Sequence, residues 1–146
     1  MTKRIVAIIL ACTLLICAFP VASYAAAPEQ NEIEASNYLS GYNATLYSDG
    51  TSGKLKLWYE VYAKETMSSV GVYKIVVKKS NGTIVRTIWG STANGLLGAN
   101  YWFHNGTYTI SNLTSGTSYY CAVTVIAGNS SGSDTRTITT SLVTCP

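Results

Sequence analysis

The sequence predicts an all-β fold: a single antiparallel β-sandwich of seven or eight strands, preceded by a cleaved signal peptide. Apolar and polar side chains alternate along short segments, and residues that favour turns (Gly, Asn, Asp and Ser) separate these segments. No proline lies between Pro28 and Pro146, so none interrupts a strand. Because the side chains of a strand change face at every residue, this alternation gives each segment one face to bury.

The clearest predicted strand runs from Lys54 to Ala63. Its apolar face should lie in the core and consists of Leu55, Leu57, Tyr59 and Val61. Its outward face combines charged residues with two aromatic rings: Lys54, Lys56, Trp58, Glu60 and Tyr62. The other predicted strands are Tyr38–Tyr47, Val70–Lys79, with Ile75 and Val77 facing inward, Thr83–Trp89, Asn100–His104, Thr107–Ser111, Thr117–Ala127 and Thr135–Thr144.

Two Asn-Gly pairs predict tight hairpin turns, because Asn and Gly accept the positive φ that these turns require. The pairs are Asn81-Gly82 and Asn105-Gly106. Between them, Gly90 to Gly98 is predicted to be a glycine-rich loop that leads to the second half of the domain.

The N-terminus has the features of a secretory signal peptide. Lys3-Arg4 precedes an apolar run, Ile5 to Phe19, that is shorter than the roughly 20 residues needed to cross a bilayer. We place the cleavage after Ala25 or after one of the next two alanines, and an uncleaved anchor is the alternative. The predicted organisation is signal peptide 1–25, flexible N-terminal tail 26–36 and β-sandwich domain 37–146. We expect a secreted protein with no membrane span in the mature chain.

Charge and composition argue against nucleic acid binding and against catalysis. Two of the ten basic residues belong to the signal, which leaves eight against seven acidic residues and no strongly basic surface. The one histidine, His104, is not part of a metal-ligand motif, and no nucleophile–base pair or paired carboxylate is evident. We therefore expect no enzymatic activity, no cofactor and no metal.

One short motif points to a particular kind of sandwich. Leu113, Gly116 and Tyr119 have the spacing Leu-x-x-Gly-x-x-Tyr at the start of an alternating strand. This resembles the tyrosine corner of fibronectin type III and related immunoglobulin-like domains, in which the Tyr hydroxyl bonds to the backbone of the preceding turn. The segment Asn129 to Ser133 is similar to the turn between the last two strands of those modules. The resemblance implies an immunoglobulin-like, fibronectin type III-like β-sandwich.

Four aromatic residues are candidates for ligand binding: Trp58, Tyr62, Trp89 and Trp102. Flat aromatic rings exposed on a β-sandwich are used by carbohydrate-binding modules to stack on sugars, and they also serve protein contacts. The alternative interpretation is that the rings cover a second small apolar cluster, because Trp is rarely left bare.

Cys121 and Cys145 are the two thiols that remain after signal cleavage. In an oxidising compartment an even pair can form a disulfide, which here would pin the last strand. The alternative is that both thiols stay free.

Five Asn-x-Ser/Thr triplets occur in the mature chain. In a bacterial protein we interpret them as β-turn residues rather than glycosylation sites. They begin at Asn43, Asn81, Asn105, Asn112 and Asn129.

Over its mature length the chain also resembles a group of short exported proteins of unknown function from Gram-positive gut bacteria, which implies an extracellular location and no particular activity. The expected function is therefore that of an exported, non-enzymatic β-sandwich that binds a protein or carbohydrate outside the cell. One alternative is a carbohydrate-binding module that uses the exposed Trp and Tyr residues. Another is a small secreted inhibitor or effector that acts through loops such as Gly90 to Gly98.

Overall fold

The computed structural model describes residues 36–146, and every regular element in this part of the chain is a β-strand. The strands are β1 (Leu39–Tyr47), β2 (Leu55–Met67), β3 (Ser69–Lys79), β4 (Ile84–Trp89), β5 (Leu97–Gly98), β6 (Tyr101–Ile110), β7 (Ser118–Asn129), β8 (Gly132–Thr139) and β9 (Val143–Thr144). All of their pairings are antiparallel, which confirms the predicted all-β antiparallel fold.

Two predictions concern the N-terminus. The predicted signal peptide 1–25 and all but the last residue of the predicted tail 26–36 lie outside the described residues. Within residues 36–146, no helix is long and apolar enough to cross a membrane.

The strands form two sheets that enclose the core like a sandwich. The three-stranded sheet has the order β1-β2-β6, and the six-stranded sheet has the order β4-β3-β7-β8, with β5 added to β3 and β9 added to β7. Strand β2 also contacts β3 and β7 of the other sheet. The inner residues predicted for β2 and β3 are confirmed as buried: Leu55, Leu57, Tyr59, Val61, Ile75 and Val77.

Strand β6 differs from the prediction, which placed a hairpin turn at Asn105-Gly106. The strand runs through both residues and pairs along β2, with Gly106 opposite Tyr59. A Cβ atom on Gly106 would lie 2.8 Å from the Tyr59 hydroxyl oxygen, so only glycine leaves room for the buried ring. The prediction was wrong because glycine is favoured both in tight turns and where a strand packs closely against a buried ring. The Asn-Gly pair alone does not distinguish these two roles. The other predicted hairpin, at Asn81-Gly82, does join β3 to β4, and Gly82 has a φ of 85°.

The predicted last strand, Thr135–Thr144, is divided into β8 and β9. At the break, the Thr140 hydroxyl accepts a hydrogen bond from the Cys121 amide at 3.0 Å, and the Thr140 amide donates to the Cys121 carbonyl at 2.9 Å. The Thr140 side chain thus takes the place of a backbone carbonyl in the ladder, and the chain leaves β7 there before pairing with it again in β9.

Asp134 lies in β8 and holds the start of the described chain. Its carboxylate accepts hydrogen bonds from the Ser36 hydroxyl and, at 2.7 Å, from the Tyr38 amide. The bond from Ser36 is the main reason that the pKa of Asp134 lies below its usual value. These contacts attach the segment that leads into β1 to the edge of the other sheet.

We expect Gly106→Ala to destabilise the fold because the added methyl group collides with the Tyr59 ring, at a cost of about 1 to 3 kcal/mol. Gly41→Ala is the matched control. Gly41 also lies in a strand beside a tyrosine, but a Cβ atom there would lie 3.5 Å from the Tyr62 ring, an ordinary contact distance. Urea unfolding measures both free energies. Equal stabilities of the two variants would contradict the close-packing role of Gly106.

Candidate ligand-binding face

One face of β2 is buried in the core, so its opposite face points outward. Burial alternates from Leu55 to Ala63, so Trp58, Glu60 and Tyr62 point away from the core. The strands that pack on β2 are its neighbours β1 and β6 and, through the core, β3 and β7. No strand of the described chain covers its outer side, so the outer face of the three-stranded sheet is the candidate ligand-binding surface.

The register of the three-stranded sheet arranges its outward residues in rows across the strands. A row of Tyr47, Lys56 and Thr109 lies at one end of the face, and the three rows that form the candidate site follow it: Thr45–Trp58–Thr107, Asn43–Glu60–Asn105 and Gly41–Tyr62–Phe103. Neighbouring rows are about 7 Å apart, because they are two residues apart along each strand. A central row of carboxamide and carboxylate groups therefore lies between two rows that carry aromatic rings.

Two of the Asn-x-Thr triplets supply parts of these rows. The triplets at Asn43 and Asn105 were interpreted as turn residues, but Asn43 lies in β1 and Asn105 lies in β6, so that interpretation was wrong at these positions. In a strand, residues two apart share a face, so each triplet places its Asn and its Thr side by side on the surface.

The aromatic end of the face is formed by Tyr62, Phe103 and Trp102. Tyr62 and Phe103 stack with their ring centroids 4.5 Å apart, and the Trp102 centroid lies 6.3 Å from Tyr62 and 5.9 Å from Phe103. The Tyr62 hydroxyl donates to the Glu60 carboxylate at 3.1 Å, which orients Glu60. Sequence reasoning missed Phe103, since its place beside Tyr62 follows only from the pairing of β2 with β6.

Trp89, the fourth predicted ligand-binding residue, lies elsewhere. It pairs with Lys74 on the outer side of the six-stranded sheet. Its ring meets Tyr73 edge-on at 5.4 Å, and the Lys74 ammonium group lies 5.5 Å from the ring centroid. The structure thus brings Trp58, Tyr62 and Trp102 to one sheet of the sandwich and places Trp89 on the other.

The loop Gly90–Gly98 is tied to the core. Its Gly95 carbonyl accepts a hydrogen bond from the Tyr59 hydroxyl at 2.6 Å and lies 2.8 Å from His104 Nε2. Because a carbonyl oxygen only accepts, this contact assigns a proton to His104 Nε2. Leu96 is fully buried, and burial also raises the pKa of Tyr59. The loop and His104 therefore close the side of the core. Separately, residues 36–146 contain no group of three metal-ligating side chains.

The segment from Leu113 to Tyr119 forms a tight corner. Tyr119 is buried, and its hydroxyl oxygen accepts a hydrogen bond from the Thr114 amide at 3.0 Å. Gly116 has a φ of 77°, a conformation that favours glycine, and Leu113 is buried. The structure therefore places the three motif residues in one turn, where Tyr119 provides a partner for a backbone N–H group.

Cys121 and Cys145 are both buried and free. β9 pairs with β7 so that Thr144 lies opposite Ser118, and the Cys145 amide donates to the Thr117 carbonyl. Cys145 therefore lies opposite Thr117. Cys121 is four residues beyond Thr117 along β7, about 13 Å from it, whereas a disulfide needs Cα atoms within about 7 Å. The strand register therefore keeps the two thiols unbridged, and burial raises the pKa of Cys121 to about 12.

Comparison of the chain with models of protein families, with curated proteins and with solved structures gives no match. The function is therefore inferred from the chemistry of the described residues. Most of this chemistry lies on the outer face of the three-stranded sheet.

We expect Tyr119→Phe to lower the free energy of unfolding by about 1 kcal/mol, because the Thr114 amide loses its partner. Tyr119→Ala also removes a buried ring and should cost about 3 to 5 kcal/mol. Tyr120 faces the other way and is only half-buried, so Tyr120→Ala is the control and should cost less. Urea unfolding compares the three variants, and equal losses for the two alanine variants would refute the corner role of Tyr119.

Proposed function

We propose that this protein is an exported, non-enzymatic, fibronectin type III-like β-sandwich that binds a molecule outside the cell through the outer face of the three-stranded sheet. The observation that carries the proposal is that this face presents Trp58 and the Tyr62–Phe103 pair while no described strand covers it. Aromatic side chains grouped on an uncovered face are typical of binding surfaces, where they supply much of the interaction energy.

Two features support the fibronectin type III-like part of the proposal. The seven long strands divide into β1-β2-β6 and β4-β3-β7-β8, a division that fits the resemblance. Tyr119 lies at the start of β7, the sixth of these strands, and its hydroxyl accepts from the Thr114 amide of the preceding turn, as in a tyrosine corner.

Binding rather than catalysis is supported by what the carboxylates do. A catalytic acid or base needs a geometry that leaves it available to a substrate. Two carboxylates of the described chain are instead engaged within the fold: Asp49 with Lys56, and Asp134 with Ser36.

Export is supported by the basic start, the short apolar run and the small residues around Ala25. We expect the protein in the culture medium of its host to begin near Ala26, which mass spectrometry of the intact chain measures. Recovery of a chain that still begins at Met1, or of protein only inside the cells, would refute export.

We expect Trp58→Ala to weaken ligand binding at least about tenfold, because it removes the aromatic ring at the middle of the sheet. The mature protein would first be applied to glycan and protein arrays, and the affinity for each ligand found would then be measured for the variants. Trp89→Ala is the control, since it removes a Trp from the other sheet; Trp89 is 57% exposed, whereas Trp58 is half-buried.

The proposal also predicts a fluorescence change. The difference in emission between the unmodified protein and Trp58→Phe gives the fluorescence of Trp58. This fluorescence should be quenched by iodide in the free protein and protected from iodide when ligand is bound. This measurement keeps the test decisive even if Trp58→Ala unfolds. Unchanged affinity in Trp58→Ala, equal losses in Trp58→Ala and Trp89→Ala, or no ligand on either array would overturn the proposal.

A further inference from the structure

We infer that the ligand of this outer face is a neutral oligosaccharide that lies along β2 and crosses all three rows. The inference rests on the proposed function, because it requires the outer face of the three-stranded sheet to be the binding surface. It adds the chemical class and the orientation of the ligand, and both follow from the order of the rows.

The two aromatic rows suit the flat, apolar faces of sugar rings. A pyranose ring carries C–H groups on its faces, and these pack against the electron-rich face of an aromatic ring. Trp58 lies on one side of the central row, and the stacked Tyr62–Phe103 pair lies on the other. Trp58 and Tyr62 are four residues apart on one strand, about 13 Å, which is more than one sugar ring spans. A chain of several sugars is needed to reach both.

The central row suits the hydroxyl groups of the same ligand. A carboxylate accepts hydrogen bonds, and a carboxamide both donates and accepts them, which matches hydroxyl groups that can do both. Asn43 and Asn105 are exposed on either side of Glu60, whose carboxylate is already held by the Tyr62 hydroxyl at 3.1 Å. A carboxylate that is oriented before binding loses less conformational entropy when the ligand arrives.

A protein partner fits this surface less well. The core of a protein–protein interface is apolar and depleted of charged residues. The centre of this face is instead Glu60 between Asn43 and Asn105. Covering Glu60 with an apolar surface would remove its water without replacing the lost hydrogen bonds, which is costly.

The charge of the face favours a neutral ligand over an anionic one. Glu60 is the charge at its centre, and Lys56 is already paired with Asp49 at 2.8 Å. An acidic sugar chain would bring like charges together at Glu60. Lys74 and Lys78 lie over aromatic rings on the six-stranded sheet, so an anionic polymer would prefer that side of the molecule.

Isothermal titration calorimetry of the mature protein tests the inference with defined probes. These are β-1,4-linked glucose, mannose and xylose oligomers, from disaccharide to hexasaccharide, with galacturonate oligomers of the same lengths as charged counterparts. We expect at least one neutral series to bind with an affinity that rises with length until both aromatic rows are occupied. We expect galacturonate to bind more weakly than that series.

Substitutions in the central row provide the second test. Asn43→Ala, Asn105→Ala and Glu60→Ala should each weaken binding of the neutral oligomer by about tenfold, the loss expected for a hydrogen-bonding group. Glu65→Ala is the matched control, because Glu65 is exposed on the same strand but lies beyond the three rows, and it should leave the affinity unchanged. Circular dichroism melts establish that each variant is folded.

The outcomes separate this inference from the proposed function. A protein ligand that requires Trp58, with no neutral oligomer bound, would overturn the inference and leave the proposed function standing. So would tighter binding of galacturonate than of the neutral oligomers, or neutral binding that survives all three central-row substitutions while Trp58→Ala abolishes it. Neutral binding that does not depend on Trp58 would overturn both.

Discussion

The burial of one face of β2 is the constraint on which the rest of the structure depends. Leu55, Leu57 and Val61 are completely buried, and a register shift of one residue would replace them with Lys56, Trp58 and similar residues. Such a shift would place charges in the core without partners, so only one register is stable. β2 is also the middle strand of its sheet, and its register therefore determines which residues of β1 and β6 lie beside it. The composition of the outer face is thus a consequence of core packing.

Tyr59 connects this core to the side of the molecule. Its ring occupies space that Gly106 leaves open on β6, and its hydroxyl holds the Gly95 carbonyl together with His104. An aliphatic residue at this position could fill the core but could not bond the loop, because it has no polar group. A single side chain therefore links strand packing, the course of the Gly90–Gly98 loop and the orientation of the one histidine.

The two outer sides of the sandwich differ in a way that bears on function. The three-stranded sheet combines aromatic rings with Glu60 and two asparagines, whereas β3 of the six-stranded sheet carries Lys74 and Lys78 over aromatic rings. Antiparallel sheets expose one face to solvent, so these surfaces can vary without disturbing the core. A face with hydrogen-bonding groups between aromatic rings suits an extended, hydroxylated ligand better than a compact one.

The sequence by itself determined most of the strands, the inner face of β2 and the outward position of Trp58, because alternation is a property of consecutive residues. It could not determine which residues of distant strands lie side by side, since that depends on packing between segments far apart in the chain. For this reason the Asn105-Gly106 pair was interpreted as a turn, and Phe103 was missed. The separation of Cys121 from Cys145 was likewise decided by how β9 pairs with β7. The three rows of the candidate site exist only because β1 and β6 meet β2 in one register, and the burial of large side chains between the two sheets selects that register.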